Sequence, residues 1–225
     1  MLRVTVLGSG SRGNAVAVTK GTRDKGILLL DCGFSKKEIC KRLEIAGLQG
    51  EVELCLITHK HLDHAKSAGY FNSVLFDKGY SEMIWNWRGC VITPFDLIHD
   101  VPCAGFRIDF GKISIAYLVD FSEIPEESVK CLLGLDLIII ESNHEEAMLD
   151  PDDFGHPERH LSNRQMACVL QIISGKNLKH VVLAHLSSRN NTPKFAEVAA
   201  REAVPQAEIV IAEQDYPTKT ITIIK

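Results

Sequence analysis

Four side chains that can bind a metal ion lie within six residues in the segment THKHLDHAKS: His59, His61, Asp63 and His64. The segment follows VELCLIT, which reads as a buried strand. His59 and His61 are two residues apart, so at an extended strand end they can point to the same side. Asp63 and His64 follow on the turn. Imidazoles favour borderline metals and the carboxylate suits a second cation, so the cluster predicts two ions about 3.5–4 Å apart.

Four ligands cannot fill two sites, so the missing ligands are expected at the ends of later strands. His99 follows a strand-like run, Asp120 ends ISIAYLVD, and His185 ends HVVLAH. Each is a polar residue just past a buried strand, where loops carry function. Any one of them alone could be a structural loop residue. As a set that follows the first cluster, they predict further metal ligands.

Two other histidines are candidate donors of a proton to a leaving oxygen. His160 comes immediately before a predicted helix, where Ser162 and Asn163 would expose backbone N–H groups to an anion. His144 follows the strand IIIES. Each could instead be a loop histidine with satisfied hydrogen bonds, and local context favours His160. Beyond the strand HVVLA, four residues offer donors that suit a phosphate. These are Ser187, Ser188, Arg189 and Asn190.

A glycine-rich segment, GSGSRGN, follows the first predicted strand and has the glycine spacing of a dinucleotide-binding loop. Such a loop must open a helix, but the next residues, AVAVT, alternate as a strand does. We therefore predict a hairpin loop whose glycines allow a close approach to another part of the chain. Ser11 and Asn14 are candidate hydrogen-bond donors in that loop.

Composition limits the class of protein. The chain has 225 residues, of which 45% are hydrophobic, enough to bury a substantial core. No apolar run reaches the roughly 20 residues of a membrane span, and the start of the chain lacks a secretory signal. Seven scattered cysteines without a Cys-x-x-Cys pair indicate reduced thiols and a cytoplasmic location. The net charge of −4 means that nucleic-acid binding would need a local basic patch or metal ions that face the phosphates.

Strand patterns occur early in the chain and again in its second half, with helical patterns between them. SKKEICKRLEIAG, SEMIWNW, IPEESVKCLLG, LSNRQMACVLQIIS and TPKFAEVAAREAV are the predicted helices. Two sheets with helices outside them are the simplest packing for this order. Because no breaker-rich linker divides the chain, residues 1–225 are predicted to form a single domain.

THKHLDH resembles the signature of the metallo-β-lactamase superfamily. GSGSRGN, LLLDCG, IIIESNHE, HLSNRQMA and LAHLSSRNNTP resemble its YycJ-like (WalJ) branch, whose members are cytoplasmic metal-dependent hydrolases assigned as DNA 5′-exonucleases. The sequence departs from the usual pattern of this branch at two positions. LVDF, which contains Asp120, stands where the branch usually has a Thr-Asp pair, and Arg159 replaces the usual glycine before HLSN. The resemblance implies an α/β fold, the metallo-β-lactamase αββα four-layer sandwich of two mixed β-sheets with helices outside.

The same resemblance implies two ligand sets that share one carboxylate, with an aspartate behind them that orients the cluster. His59, His61 and His99 would hold one metal, Asp63, His64 and His185 the other, Asp120 would bridge them, and Asp31 would be the orienting residue. The ligands suit zinc or manganese, with iron or magnesium as alternatives.

Two cations bridged by a water lower its pKa to near 7 and so supply hydroxide for attack on an ester or a phosphodiester. Asp63 could accept a proton from that nucleophile or hold it in line. The expected function is a 5′-exonuclease that acts on DNA single strands or 5′ ends. The alternatives are a small-molecule (cyclic) phosphodiesterase or other ester hydrolase, an RNA-processing nuclease, and a non-catalytic protein that keeps its metals for structure. The surface beside the site, an open groove or a closed pocket, would separate them.

Overall fold

A computed structural model of the chain describes residues 1–22, 25–76, 84–149 and 158–225. Within these ranges, two β-sheets lie face to face and helices cover their outer faces. The predicted architecture of two mixed sheets with helices outside is confirmed. None of the helices in the described ranges is long and apolar enough to cross a membrane.

The first sheet has six strands in the order β13-β1-β2-β3-β4-β5. Its strands are β1 (Leu2–Gly8), β2 (Ala15–Lys20), β3 (Gly26–Leu30), β4 (Glu51–Ile57), β5 (Ser73–Leu75) and β13 (Ile221–Ile223). β1, β2 and β3 pair antiparallel, whereas β3, β4 and β5 pair parallel. The helix α1 (Lys36–Ile45) makes the crossover from β3 to β4 that a parallel pair requires.

The second sheet has seven strands in the order β12-β11-β10-β9-β8-β7-β6. Its strands are β6 (Trp85–Trp87), β7 (Cys90–Leu97), β8 (Cys103–Phe110), β9 (Ile113–Leu118), β10 (Leu137–Glu141), β11 (His180–Ala184) and β12 (Glu208–Ile211). β6 to β9 pair antiparallel, and β9 to β12 pair parallel. The helices are α2 (Leu62–Ala65), α3 (Glu126–Val129), α4 (Asn163–Ile173) and α5 (Pro193–Ala203).

The alternation of side chains along each strand builds the layers. Leu28 and Leu30 of β3 face the space between the two sheets, where they join residues of the second sheet such as Ile139. The intervening Ile27 and Leu29 face outward and pack with α1. The outer face of the second sheet packs in the same way against α4 and α5. Because both faces of the central strands are apolar, these strands are nearly continuous hydrophobic runs.

Two predicted helices differ from the structure. SEMIWNW was expected to be helical, but Trp85–Trp87 forms strand β6, which pairs with β7; residues 81–83 lie outside the described residues. The prediction is wrong for β6 because pairing with a sheet edge overrides a local helical pattern. IPEESVKCLLG forms only the short α3 and one 3₁₀ turn, Lys130–Leu132.

Polar residues at the ends of several strands meet at one edge of the sandwich. β3 and β4 are parallel in one sheet, and β9, β10 and β11 are parallel in the other, so their carboxyl ends point to common edges. Asp31, His59, Asp120, Glu141 and His185 lie at or just past the ends of these strands. The carboxyl ends of parallel strands are where open α/β sheets bind ligands.

Candidate metal centre

Three overlapping groups of metal-binding side chains occupy this edge. In each group, the candidate ligand atoms lie within 4.8 Å of one another. The groups are His59, His61, His99 and Asp120; Asp63, His64, Asp120 and His185; and Asp120, Glu141, His160 and His185. The structure therefore brings together all seven of the predicted ligands, from four separate segments of the chain.

The first group is built from three histidines and Asp120. His59 Nε2 lies 3.1 Å from His61 Nδ1, and His99 Nε2 lies 3.4 Å from that same nitrogen. Asp120 Oδ2 lies 3.2 Å from His59 Nε2 and 3.6 Å from His99 Nε2. Three nitrogens and one oxygen at these separations match the donor set of a tetrahedral or five-coordinate cation.

The second group places two carboxylates around two histidines. His64 Nε2 lies 3.3 Å from Asp120 Oδ2 and 3.5 Å from Asp63 Oδ2. Asp63 Oδ2 lies 3.7 Å from His185 Nε2. Asp120 Oδ2 is thus the atom common to the first and second groups. A single carboxylate oxygen between two donor sets is the arrangement expected of a residue that bridges two ions.

Partner groups fix the ring orientation of the histidines. His64 Nδ1 contacts Asp31 Oδ2 at 2.7 Å, and His59 Nδ1 contacts the Thr58 hydroxyl at 3.0 Å. Asp31 also accepts hydrogen bonds from the Thr58 backbone N–H and from the Tyr117 hydroxyl. With Nδ1 engaged in this way, each ring directs Nε2 into the cluster, as ligand histidines do. The contact supports the expectation that Asp31 orients the cluster.

Glu141 is a site residue that sequence reasoning missed. Its side chain is completely buried, and Oε1 contacts both His160 Nδ1 at 2.9 Å and His185 Nδ1 at 2.8 Å. Its second oxygen, Oε2, accepts hydrogen bonds from the backbone N–H groups of Phe121 and Leu161. The available signal was an acidic residue at the end of the apolar run LIIIE, since a buried carboxylate needs partners of this kind.

Charges within the chain set the protonation of the carboxylates. Burial opposes the ionisation of Asp120, but the positive charge of His185 and hydrogen bonds from other histidines outweigh it and hold the pKa of Asp120 well below its usual range. Burial likewise opposes the ionisation of Glu141, whereas His160 and His185 lower its pKa to about 2. Both carboxylates are therefore ionised at neutral pH.

The histidines divide into two kinds. Burial and the neighbouring His64 lower the pKa of His59 to about 4, so His59 is neutral, as a ligand must be. Burial also lowers the pKa of His160, but Glu141 and Asp120 overcome this effect and raise it to about 10. His160 Nδ1 lies 2.9 Å from Asp120 Oδ1 and 2.9 Å from Glu141 Oε1, and its hydrogen bond is with Glu141. His160 therefore carries a proton near pH 7.

Backbone strain is concentrated at the cluster. In the described ranges, four non-glycine residues have φ in the left-handed region, and three of them are Asp31 (58°), Asp120 (62°) and His185 (53°). Such a conformation costs on the order of 1–3 kcal/mol and persists only where the surrounding structure imposes it. The three residues leave their strands at this angle and enter the cluster, which points to a functional constraint.

An unpartnered nitrogen inside the cluster indicates that a cation fits there. His185 Nδ1 is engaged by Glu141, and His185 Nε2 is buried with no hydrogen-bond partner among the described residues. A buried nitrogen without a donor or acceptor needs an explanation. Nε2 faces the carboxylate of Asp63, so a cation between them would satisfy both groups.

The glycine-rich loop approaches this cluster closely. Gly10 and Gly13 have φ values of 144° and 154° in the turn between β1 and β2, which confirms the predicted hairpin loop. Asn14 N–H donates to Asp63 C=O at 2.7 Å, and the Asn14 side-chain amide lies 3.0 Å from His64 Nε2. Asn14 is completely buried, so it positions α2 and is not exposed to substrate. The prediction that Asn14 is a donor to substrate is therefore wrong.

Two other predicted substrate donors are also buried. Ser162 caps α4, accepting a hydrogen bond from Gln165 N–H, while its own N–H donates to the Gln165 side chain. Asn163 N–H donates to His144 C=O, and its amide bonds with Ser142 and Asn191. The prediction that this helix start binds an anion is therefore wrong, because the capping box uses these donors internally.

The remaining predicted donors line an open groove beside His160 and His185. Ser11, Asn143, Ser187, Ser188, Arg189 and Asn190 form its walls, and its volume is about 350 Å³. A second groove of about 340 Å³ shares Ser187 and Ser188 with the first and reaches Tyr216, whose side chain is exposed. His144 is buried and belongs to none of the three metal-binding groups.

Comparison with known proteins agrees with the geometry. The family model of the metallo-beta-lactamase superfamily matches residues 8–84, which include THKHLDH. Exodeoxyribonuclease YycJ of Bacillus anthracis is 24% identical over 247 aligned positions that cover 94% of this chain and 92% of its own. Exodeoxyribonuclease WalJ of Streptococcus pneumoniae is 25% identical over 244 positions that cover 92% and 90%. The chain is therefore similar to hydrolases of the metallo-beta-lactamase superfamily, and the matched segment carries THKHLDH.

Solved structures of low sequence identity share the fold. The metallo-beta-lactamase fold protein YhfI from Bacillus subtilis has a TM-score of 0.73 at 17% identity, over 96% of this chain and 98% of its own. A diphosphatase from the PhnP family has a TM-score of 0.65 at 18% identity, over 98% of both chains. The short form of human tRNase Z has a TM-score of 0.63 at 19% identity, over 96% of this chain and 98% of its own. These likenesses support the fold alone.

Removing His185 should separate the two groups of ligands. His185 belongs to the group with Asp63 and His64 but not to the group with His61 and His99. We expect His185→Ala to retain about one divalent ion per chain where the unmutated protein binds two. Elemental analysis after dialysis measures the content. One ion in the unmutated protein at saturating manganese or zinc would contradict a two-ion site.

Proposed function

We propose that this protein hydrolyses phosphodiester bonds and acts as a 5′-exonuclease on DNA, with two divalent ions at the candidate metal centre. The observation that carries the proposal is the position of Asp120 Oδ2 between two complete donor sets. The first set consists of His59, His61 and His99, and the second of Asp63, His64 and His185. The names of the curated relatives YycJ and WalJ support DNA as the substrate.

The two donor sets would hold two divalent ions, which would supply an activated water at neutral pH and neutralise charge on a phosphate. The His and carboxylate donors favour zinc or manganese, with iron or magnesium as alternatives. The chain contributes the orientation of these donors. Asp63, whose side chain is 23% exposed, is the residue we propose to hold a nucleophile in line.

His160 is the residue we propose as the donor of the proton to the leaving oxygen. Its ring lines the groove beside the metal centre, and Glu141 and Asp120 keep it protonated. A general acid must lie in contact with the site and hold a proton at the working pH. The alternative donor, His144, does not meet the first condition, because its buried ring lies outside the groups that form the centre.

The open groove favours a polymer over a small phosphodiester. The groove beside His160 and His185 shares Ser187 and Ser188 with a second groove, which reaches Tyr216. We propose that the phosphate of the strand contacts Ser187, Ser188 and Arg189, which line the groove beside His160 and His185. Glu213 and Asp215 line the more distant groove, where their negative charge opposes additional phosphate contacts. Exposed Tyr216 there offers a ring on which a base can stack.

The activity test uses a single strand of DNA labelled at its 5′ end. We expect manganese-dependent release of mononucleotides from that end. Asp63→Ala should abolish the release, because it removes a donor of the second set and the residue nearest to the nucleophile. Asp96→Ala, a change of an exposed aspartate on β7, is the matched control and should leave the rate unchanged.

Bis-nitrophenyl phosphate serves as the control substrate, since many two-ion sites cleave it slowly. Cleavage of this ester without attack on DNA, in manganese, zinc or magnesium, would overturn the nuclease proposal. It would favour a small-molecule phosphodiesterase on the same scaffold. Attack on RNA but not on DNA would instead favour an RNA-processing nuclease.

Two further proposals concern the chain as a whole. We propose that residues 1–225 act as one domain, since the cluster draws on segments from Asp31 to His185. We also propose a cytoplasmic location without membrane contact, which the scattered cysteines support.

A further inference from the structure

Asp100, the residue immediately after His99, contacts two histidines of the first ligand group. Its Oδ1 atom lies 3.4 Å from His61 Nε2 and 3.1 Å from His99 Nε2. The carboxylate is 35% exposed, so it lies at the rim of the centre and not in its interior. Asp100 is outside the three groups whose ligand atoms lie within 4.8 Å of one another, so it acts on the ligands from beside them.

The two nitrogens of His61 face in different directions. Nδ1 lies among the ligand atoms, 3.1 Å from His59 Nε2, whereas Nε2 faces Asp100. His61 Nδ1 can offer its lone pair to a cation only if the ring proton is on Nε2. A carboxylate that accepts a hydrogen bond from Nε2–H selects that tautomer and makes Nδ1 a stronger donor.

Three other histidines of the centre have a polar partner on the nitrogen that points away from the ligand atoms, whereas His99 Nδ1 has none among the described residues. His64 contacts Asp31, His185 contacts Glu141, and His59 contacts Thr58, each through the nitrogen that points away from the ligand atoms. His61 differs in that its metal-facing nitrogen is Nδ1, so its partner must lie on the Nε2 side. Asp100 Oδ1 lies on that side, in an ion-pair contact of 3.4 Å with His61 Nε2.

We propose that Asp100 is a positioning residue of the first ligand group, which fixes the tautomer of His61 and adds negative charge that strengthens the binding of a divalent cation. The first group needs that charge more than the second. It contains three imidazoles and a share of Asp120, whereas the second also contains Asp63. The inference rests on the metal-binding part of the proposed function but not on the identity of the substrate.

Arg159 connects this carboxylate to the loop of His160. Arg159 Nη1 lies 3.7 Å from Asp100 Oδ2, and Arg159 stands where the resembling branch usually has glycine. Because 57% of the Arg159 side chain is exposed, solvent screens the contact, and its effect on Asp100 is small. The position of Asp100 therefore depends mainly on the chain that follows β7 and on the histidines it contacts.

Asp100→Asn tests the proposal, because asparagine keeps the size of the side chain and removes its charge. The variant is made in the His185→Ala background, where the remaining ion reports the first group. We expect the affinity for zinc and for manganese, measured by competition with a chelating dye, to fall about 10–100-fold. Asp96→Asn in the same background is the matched control and should leave the affinity unchanged.

The tautomer of His61 gives a readout that is independent of activity. In protein stripped of metal, long-range ¹⁵N–¹H spectra should assign the His61 proton to Nε2, and Asp100→Asn should redistribute it between the two nitrogens. An unchanged tautomer together with an unchanged affinity would overturn the role of Asp100. Failure of the unmutated protein to bind two ions would overturn the metal-binding proposal instead, so the two failures are distinguishable.

Discussion

Glu141→Gln should lose both the second ion and the proton donor, with a fall in turnover of about 10³-fold or more. Glutamine can keep one oxygen toward the N–H groups of Phe121 and Leu161, so the fold should be retained. Its NH₂ group would then face the Nδ1 atoms of His160 and His185, where Glu141 Oε1 now accepts. Two donors cannot share that contact, so His185 would move its proton to Nε2, the nitrogen that faces Asp63.

Elemental analysis and the rate of DNA hydrolysis measure the two losses in Glu141→Gln. Glu146→Gln is the matched control, since Glu146 is half exposed and contacts Ser162 and Arg164 away from the centre. We expect it to keep both ions and the full rate. Normal metal content and normal turnover in Glu141→Gln would contradict the role of Glu141 in orienting the two histidines.

His160→Ala should lower turnover by about 10²–10⁴-fold while both ions are retained. The ring of His160 lies beside the cluster and carries a proton that the charges of Glu141 and Asp120 stabilise. His160 Nδ1 contacts Glu141, and His160 is in neither the first nor the second group of ligands. Removing its ring therefore leaves both groups complete. The measurement is the single-turnover rate on a labelled DNA strand, with metal content determined on the same preparation.

The leaving group separates a proton donor from a structural histidine. A nitrophenolate departs without protonation, so the loss in His160→Ala should shrink on bis-nitrophenyl phosphate. His180→Ala is a suitable control, because His180 lies at the start of β11 and contacts Glu208 far from the strand ends that form the centre. Equal losses on DNA and on the nitrophenyl ester would remove His160 from the role of acid.

The sequence alone determined much of the metal centre. The spacing in HKHLDH follows from the geometry of a strand end that passes into a short helix, so four ligands were readable from local chemistry. His99, Asp120 and His185 were readable as polar residues just past apolar runs, and all three lie in the cluster. Strand periodicity likewise predicted the two sheets, because alternation depends only on neighbours along the chain.

Other features depended on the meeting of distant segments. Glu141 and Asp100 contact histidines from other segments of the chain, and only those contacts show what the two carboxylates do. Ser162 and Asn163 looked like exposed donors, but a capping box and neighbouring side chains bury them. Strand β6 exists because a sheet edge was available to Trp85–Trp87.

Sequence thus supplied the donor atoms, since ligand chemistry is a property of residue types at close spacing. Tertiary structure decided which nitrogen of each histidine faces the centre and which carboxylate is shared. Asp120 Oδ2 lies between the two donor sets because the two sheets bring the ends of β4, β9 and β11 to one edge. That convergence joins residues separated by more than a hundred positions, and only the packing of the sheets can produce it.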